Sequence, residues 1–524
     1  MIGANALVLL CLAAAATAYA YVQHIVGQIK TGPQAHIVCA YCTVGNGTLP
    51  APDRRTKNGM NAENILLIGN ETRLGLTPEQ QQQFGSSLTY NGQLADIIMI
   101  LHLDPVNYTA SLLSVPRDLF SPMPLNSPVG PYQKIDAALN DGSEGPDNIV
   151  AAIEQDYGIP INGYIELNFN GFINSVNALG GINVYFPEPV YDAESLLNIA
   201  TPGCKHLNGT EALELVRARH LQYDPPGDTE PRYDWPYDPE SDLARIVRTH
   251  TFMKIVAGTA IKDGKTNPLN AISFLDAISK EIEVNQSLKN QLISLVTYYR
   301  HVNPNAVEET TLPTSGVPNA YYYAGASIGD VLFPVQPADN RVIKAWDPQA
   351  FPKAVVPRSV SVVSLTGSYY DAEEAGQALE SHGLRVTSEV AGEVPASPTE
   401  TLVLYPPVTA THRQGLANAL YVMKYLSGAV MMEQASSVPA GTVQVQVGSL
   451  VTVSEKATTT TSSSTATAAA TTSTTLATTT STSASTTSTT HAPTTTTTVP
   501  TPDGVVSSAA DQEEPWDPRS CPSS

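Results

Sequence analysis

Two apolar runs rich in strand-forming residues, Ile97–Leu103 and Thr109–Val115, flank the turn-forming segment Asp104-Pro105-Val106-Asn107-Tyr108. The pattern predicts an antiparallel hairpin. Folding it about the turn centre sets Asp96 opposite Arg117 and Asp118, so that two carboxylates and a guanidinium meet at one sheet edge. Pro116 ends the second strand. Neither strand has a wet face, which predicts a sheet covered on both sides.

The flanking pattern extends this picture. Asn64–Gly69 reads as a buried strand followed by the polar Asn70-Glu71-Thr72-Arg73, and Lys134–Leu139 opens a region with a helix through Asn148–Tyr157. Tyr164–Leu167 is a short strand, and Gly171–Leu179 is a helix stopped by Gly180-Gly181. Ile182–Phe186 is a strand halted by Pro187 and Pro189, and the helix from Gly209 runs into Arg217 and Arg219. Asp242 caps a further helix with Arg245 and Arg248 on one face, and Pro268–Tyr299 is amphipathic helix. Strands alternating with helices predict an α/β domain over 61–303.

Outside that domain the composition shifts. Ile2–Val22 is almost wholly apolar and reads as an uncleaved single-pass membrane anchor, with a cleaved signal peptide as the rival. Residues 23–60 form a linker rich in Gly, Pro, Thr and Asn, and 304–357 a second one packed on the main domain. Residues 358–455 predict a small β-α-β-β-α module to which Val443–Val447 adds an edge strand. Residues 456–524 form a tail whose Thr/Ser/Ala stretch, Thr458–Thr498, cannot bury a core and stays disordered, as an O-glycosylated spacer or an unmodified linker.

Charge narrows the function. The 49 acidic and 28 basic residues give a net charge of −21, which argues against nucleic acid and requires clustered arginines for any anionic ligand. The five cysteines form no zinc pattern, and Cys39 and Cys42 fit a local disulfide, or pairing with Cys204 or Cys521, better than redox catalysis. The acidic insertion Tyr223–Asp242 lacks the regular ligand spacing of a calcium loop and reads as a solvated loop beside the site.

Seven motifs in series then carry a resemblance: N-I-L-L-I-G-N-E-T-R (64–73), D-I-I-M (96–99), S-V-P-R-D (114–118), K-I-D-A-A (134–138), G-F-I-N-S-V-N-A-L-G-G-I-N-V (171–184), L-N-G-T-E-A-L-E-L-V-R-A-R-H (207–220) and D-L-A-R-I-V-R (242–248). Their order resembles the LytR-CpsA-Psr family across Asn64–Ile261, and Val360–Val453 resembles its accessory C-terminal domain. The resemblance implies an α/β/α sandwich with a central mixed sheet. It also implies a membrane-anchored, extracytoplasmic phosphotransferase that moves a phosphate-linked glycopolymer from a polyprenyl-pyrophosphate carrier to peptidoglycan with Mg²⁺ or Mn²⁺. Carried over by motif, Arg73, Asp96, Arg117 and Asp118 are catalytic, and Asp96 and Asp118 hold the metal. Arg73, Arg117, Lys134, Arg217, Arg219, Arg245 and Arg248 surround the pyrophosphate.

That chemistry agrees with the residues, because phosphoryl transfer needs charge neutralisation and positioning more than a covalent nucleophile. Three departures stand out. Leu94, Ala95 and Ile97 replace the family's Arg-Ser before and Thr after the first aspartate; Thr249 replaces a glutamine; and Asn70-Glu71-Thr72 replaces Ser-Asp-Ser. Arg248 is the expected substitute for the arginine missing at 94. A non-catalytic wall-glycan or polyprenyl-lipid binding protein and a polyprenyl-pyrophosphate hydrolase are the alternative functions.

Overall fold

The hairpin forms, and it lies inside a seven-stranded sheet. The computed structural model describes residues 20–32, 62–454 and 514–522, apart from 85–92, 125–126, 141–144, 228–230, 240–241, 267, 300–301, 317–319, 324, 393–399 and 409–412. In chain order the strands that matter here are β1 (Lys30–Thr31), β2 (Glu63–Asn70), β3 (Ala95–Asp104), β4 (Thr109–Ser114) and β5 (Gly163–Asn168). They are followed by β6 (Ile182–Phe186), β7 (Gly203–Leu207), β8 (Glu283–Val284) and β9 (Glu308–Thr311). The large sheet runs β1-β8-β5-β2-β3-β4-β9, while β6 and β7 pair in a smaller one. It is mixed: β2–β3 and β3–β4 are antiparallel, β2–β5 and β4–β9 parallel. Asp104 builds the hairpin turn, its Oδ1 accepting the Val106 amide at 2.8 Å and the Asn107 amide at 3.3 Å.

Alternation along the strands divides the sheet into two buried faces. Leu66, Ile68, Ile98, Ile100 and Leu113 pack on Ile149 and Ile153 of α1 (Gly145–Tyr157). The opposite face uses the intervening residues. Four further helices of this domain are α2 (Phe169–Ala178), α3 (Gly209–Arg217), α4 (Asp242–Thr266) and α5 (Pro268–Glu281), and α6 (Gln286–Tyr299) packs Leu288 and Leu295 against Ile65 and Leu103. Each fully buried aliphatic side chain contributes about 1.5–3 kcal/mol. The helices on both faces are therefore a direct consequence of strands that carry apolar residues on both faces.

Several boundaries differ from the sequence pattern. The segment expected to be a linker supplies β9, an edge strand held by ladder hydrogen bonds rather than by apolar side chains, and α7 (Ala338–Trp346), which buries Ile343 and sets Trp346 edge-on to His102. The C-terminal module contains β10 (Ser359–Ser364), α8 (Tyr369–Ser381), β11 (Val386–Ala391), β12 (Thr401–Tyr405), α9 (Gln414–Met423), β13 (Val430–Gln434) and β14 (Thr442–Val447). Its order is β11-β10-β14-β12-β13, so the expected edge strand lies inside the sheet. It pairs with β10 on one side and β12 on the other, and its Val443, Val445 and Val447 are buried on one face. The module docks on α1 through Tyr405, whose hydroxyl donates to the Gln155 carbonyl at 2.9 Å, and Asp156, which accepts the Met432 amide at 3.1 Å.

Both termini need correction. Among the described residues no helix is long and apolar enough to cross a membrane, which overturns the expected transmembrane helix and single-pass localisation. Residues 2–19 of the apolar run lie outside the described residues. The described part of its end, 20–28, is helical, after which Ile29 packs into the core beneath α6. At the other end, residues 455–513 lie outside the described residues, but 514–522 are ordered: β15 (Arg519–Ser520) pairs with β6, and Cys521 is disulfide-bonded to Cys204.

Candidate functional site

The face of the sheet opposite α1 carries the cavity. Leu67 and Gly69 of β2, Ile97 and Met99 of β3, and Ile165 and Leu167 of β5 point the same way because strand side chains alternate. Phe172 of α2, Leu213 and Val216 of α3, Phe252 and Met253 of α4, and Ile278 and Ile282 complete the wall of a cavity of about 500 Å³. Gly69 is required by close approach, since a Cβ there would sit 2.9 Å from the Ile97 side chain. A bulge follows between Gly69 and Asn70, and it turns Glu71 and Arg73 to the cavity mouth.

At that mouth the structure gathers most of the expected basic residues. Arg73, Arg117, Arg217, Arg219 and Arg245 all line the cavity beside Asp96. Arg73 is 8% exposed and fixed by a bond from its Nε to the Phe84 carbonyl at 2.8 Å. Arg245 donates to the Asp96 backbone carbonyl at 2.9 Å. Arg217 lies over the rings of Phe169 and Phe84, at 4.9 and 5.3 Å from their centroids, and burial lowers its pKa from the usual arginine value.

The two aspartates flank one guanidinium. Arg117 Nη1 bonds Asp96 Oδ1, and its Nε lies 3.7 Å from Asp118 Oδ2. This is the strand-end meeting that the hairpin predicts. Asp118 also takes Lys134 Nζ at 2.8 Å and Arg219 Nη2 at 3.1 Å, so three cations surround it. Lys134 and Asp118 thus stand one layer behind the residues that line the cavity.

Arg248 is elsewhere. It is fully buried, with Nη1 on Asp238 at 2.7 Å and on Asp517 at 3.3 Å, and Nη2 on the Ala218 carbonyl at 2.9 Å. It does not line the cavity, and the idea that it substitutes for the arginine missing at 94 is corrected accordingly. The reason is helical geometry: residues three apart differ by about 60° around the axis, enough for Arg245 to face the cavity and Arg248 the insertion. That insertion is not a free loop, because Asp238 is buried against Arg248.

Two carboxyls at the site escaped the sequence reading. Glu71, noted only as a departure, is 6% exposed, its Oε1 has no hydrogen-bond partner, and burial together with the neighbouring charge of Asp96 raises its pKa to about 7. Asp136 is 4% exposed and its carboxyl is also raised to about 7, first by burial, against the pull of Arg117. The signal for both was their place inside motifs, Glu71 two residues before Arg73 and Asp136 two after Lys134. Among the described residues no group of three or more His, Cys, Asp or Glu side chains is placed to hold a metal ion.

Comparison with known proteins gives the family. The LytR_cpsA_psr family model matches residues 49–331, more than half of the chain. The chain belongs to the LytR-CpsA-Psr family. Among family relatives, the probable cell wall biosynthesis protein LcpB of Corynebacterium glutamicum is 31% identical over 213 residues, covering 40% of this chain and 45% of the relative. The polyisoprenyl-teichoic acid–peptidoglycan teichoic acid transferase TagU of Bacillus mycoides is 30% identical over 237 residues, covering 44% of this chain and 67% of TagU. The chain spans about half the length of the first curated relatives it matches. A solved LytR-Csp2A-Psr enzyme from Actinomyces oris superposes with a TM-score of 0.41 at 23% identity, over 57% of this chain and 92% of that one.

Proposed function

We propose that this chain is a phosphotransferase that moves a phosphate-linked glycopolymer from a polyprenyl-pyrophosphate carrier onto peptidoglycan. One observation carries the reading: a single cavity joins a long apolar wall to a mouth of five arginines. A polyprenyl pyrophosphate has the same two-part chemistry. The wall removes the tail from water at about 25 cal/mol per Å² of apolar surface, and guanidinium forks match phosphate oxygens bidentately. The TagU relative, a polyisoprenyl-teichoic acid–peptidoglycan teichoic acid transferase, supports the same class of donor and acceptor.

The reaction forms a bond between an acceptor hydroxyl oxygen and the phosphorus that bears the glycopolymer. It breaks the bridging P–O bond, so the electron pair leaves with polyprenyl phosphate, and the acceptor hydroxyl gives up its proton to that leaving phosphate. The arginines neutralise charge on the equatorial and leaving oxygens. Asp96 and Asp118 orient Arg117 from two sides, and Asp118 also holds Lys134 and Arg219 in place.

A divalent cation such as Mg²⁺ or Mn²⁺ fits this donor set, which needs one or two carboxylates plus phosphate oxygens. Asp96 and Glu71 are the pair we assign to it, because Glu71 Oε1 is buried and unpartnered while the two carboxylates repel each other. Asp118, surrounded by three cations, is assigned to the arginine scaffold instead. When bound, the ion would polarise the phosphoryl oxygens.

The test incubates the chain with lipid-linked donor, peptidoglycan fragments and Mg²⁺, with mass analysis of the products. Glycopolymer joined to the fragment through phosphate is expected. Free glycopolymer phosphate alone would mean hydrolysis, and intact donor would mean a binding protein.

A further inference from the structure

Residues 514–522 lie on the domain that carries the cavity. In β15, Arg519 pairs with Tyr185 and Ser520 with Val184 of β6, and Cys521 is bonded to Cys204 of β7. Trp516 stacks on Tyr223 with ring centroids 3.7 Å apart and planes within 5°. Asp517 is 1% exposed; its Oδ2 accepts the Glu514 amide at 2.9 Å and its Oδ1 accepts from Arg248 Nη1.

Arg248 links this peptide to the site. Its Nη2 holds the carbonyl of Ala218, the residue between Arg217 and Arg219. Ala218 is extended (φ −63°, ψ 109°), so α3 has ended there and its carbonyl takes no further helical bond. A guanidinium that grips the backbone where two cavity arginines diverge fixes both of their starting points. Its charge is balanced by Asp238 from one side and by Asp517 from the other. The second carboxylate comes from 269 residues further along the chain.

The structure assigns a positioning role to residues 514–522: through Arg248 and the Ala218 carbonyl, Asp517 sets the direction of Arg217 and Arg219 toward a pyrophosphate. This rests on reading the cavity as a pyrophosphate site. Asp517 itself lines no part of the cavity, so it acts by position alone.

Two measurements on the full chain test this for Asp517→Asn: affinity for geranylgeranyl pyrophosphate by calorimetry, and amide hydrogen exchange over 217–221 without ligand. Affinity is expected to fall by about tenfold, the effect of one charge-assisted hydrogen bond, and exchange at 217–221 to rise relative to α1. Asp517→Glu should recover part of both. A lower melting temperature with wild-type affinity and wild-type exchange would show a staple that merely stabilises the fold, and would overturn the assignment. If the wild-type chain does not bind the probe, the pyrophosphate reading fails, and unchanged exchange at 217–221 overturns positioning by itself. Should Asp517→Asn not fold, Trp516→Leu loosens the same peptide, and wild-type values of both readouts there overturn the assignment.

Discussion

Replacing Glu71 by glutamine should make the apo protein more stable above neutral pH while impairing its function. Glu71 is buried with one oxygen unpartnered, and its pKa rises from 4.5 to about 7 through burial and Asp96. The unfolded chain releases this proton near the lower value. Between the two values the folded protein holds a proton that the unfolded chain has lost, so the stabilisation is complete below about pH 4.5 and disappears as pH rises through 7. At pH 8 the folded state bears the whole cost of the buried charge, roughly 3 kcal/mol. A neutral glutamine of the same shape does not bear it. Urea titrations without divalent cation should give matching midpoints at pH 4.5 and a more stable variant at pH 8. Pyrophosphate alone should stabilise both proteins through the arginines, and the further gain on adding Mg²⁺ should appear in the wild type and be lost in Glu71→Gln. A variant that is less stable at pH 8, or whose gain is the same at both pH values, would falsify the account of Glu71 as a destabilised ligand.

Arg217→Ala should weaken geranylgeranyl pyrophosphate binding by about 10- to 100-fold in calorimetry; wild-type affinity would remove Arg217 from the site. Asp118→Asn leaves Arg117, Lys134 and Arg219 facing one another and should cost about 1–3 kcal/mol in apo denaturation, less than a fully buried pair because Lys134 and Arg219 are partly exposed. Phe172→Asp puts a carboxylate into the apolar wall, and should abolish binding of the prenyl probe while inorganic pyrophosphate binds as before. Arg248→Ala strands Asp238 and Asp517 without their cation and should destabilise the chain by about 3–5 kcal/mol, so a midpoint equal to wild type would contradict the buried network.

The sequence alone determined the hairpin and its consequences. Local chemistry was sufficient there: an Asp-Pro turn, two runs of β-prone residues and a terminating proline set the register, and register places Asp96 against Arg117 with no help from the rest of the chain. The same holds for the two buried faces, since strands with apolar residues on both faces must be covered twice. Motif order carried the family, and most of the cavity arginines with it.

Tertiary structure decided what a side chain does when two places are open to it. Arg245 and Arg248 are alike in sequence, yet one faces the cavity and the other is buried among carboxylates that lie 10 residues and 269 residues away. Helical periodicity gives their relative angle but not which neighbours wait on each side. Glu71 was legible as an acidic residue beside Arg73, but its raised pKa comes from burial, which depends on everything packed around it. The ladder of β9 uses backbone groups that every residue has, so Glu308–Thr311 carried no apolar signature. The docking of 514–522 was hidden for a related reason: a short polar peptide gains its place from one disulfide, one stacked ring and one buried ion pair, all with partners hundreds of residues distant.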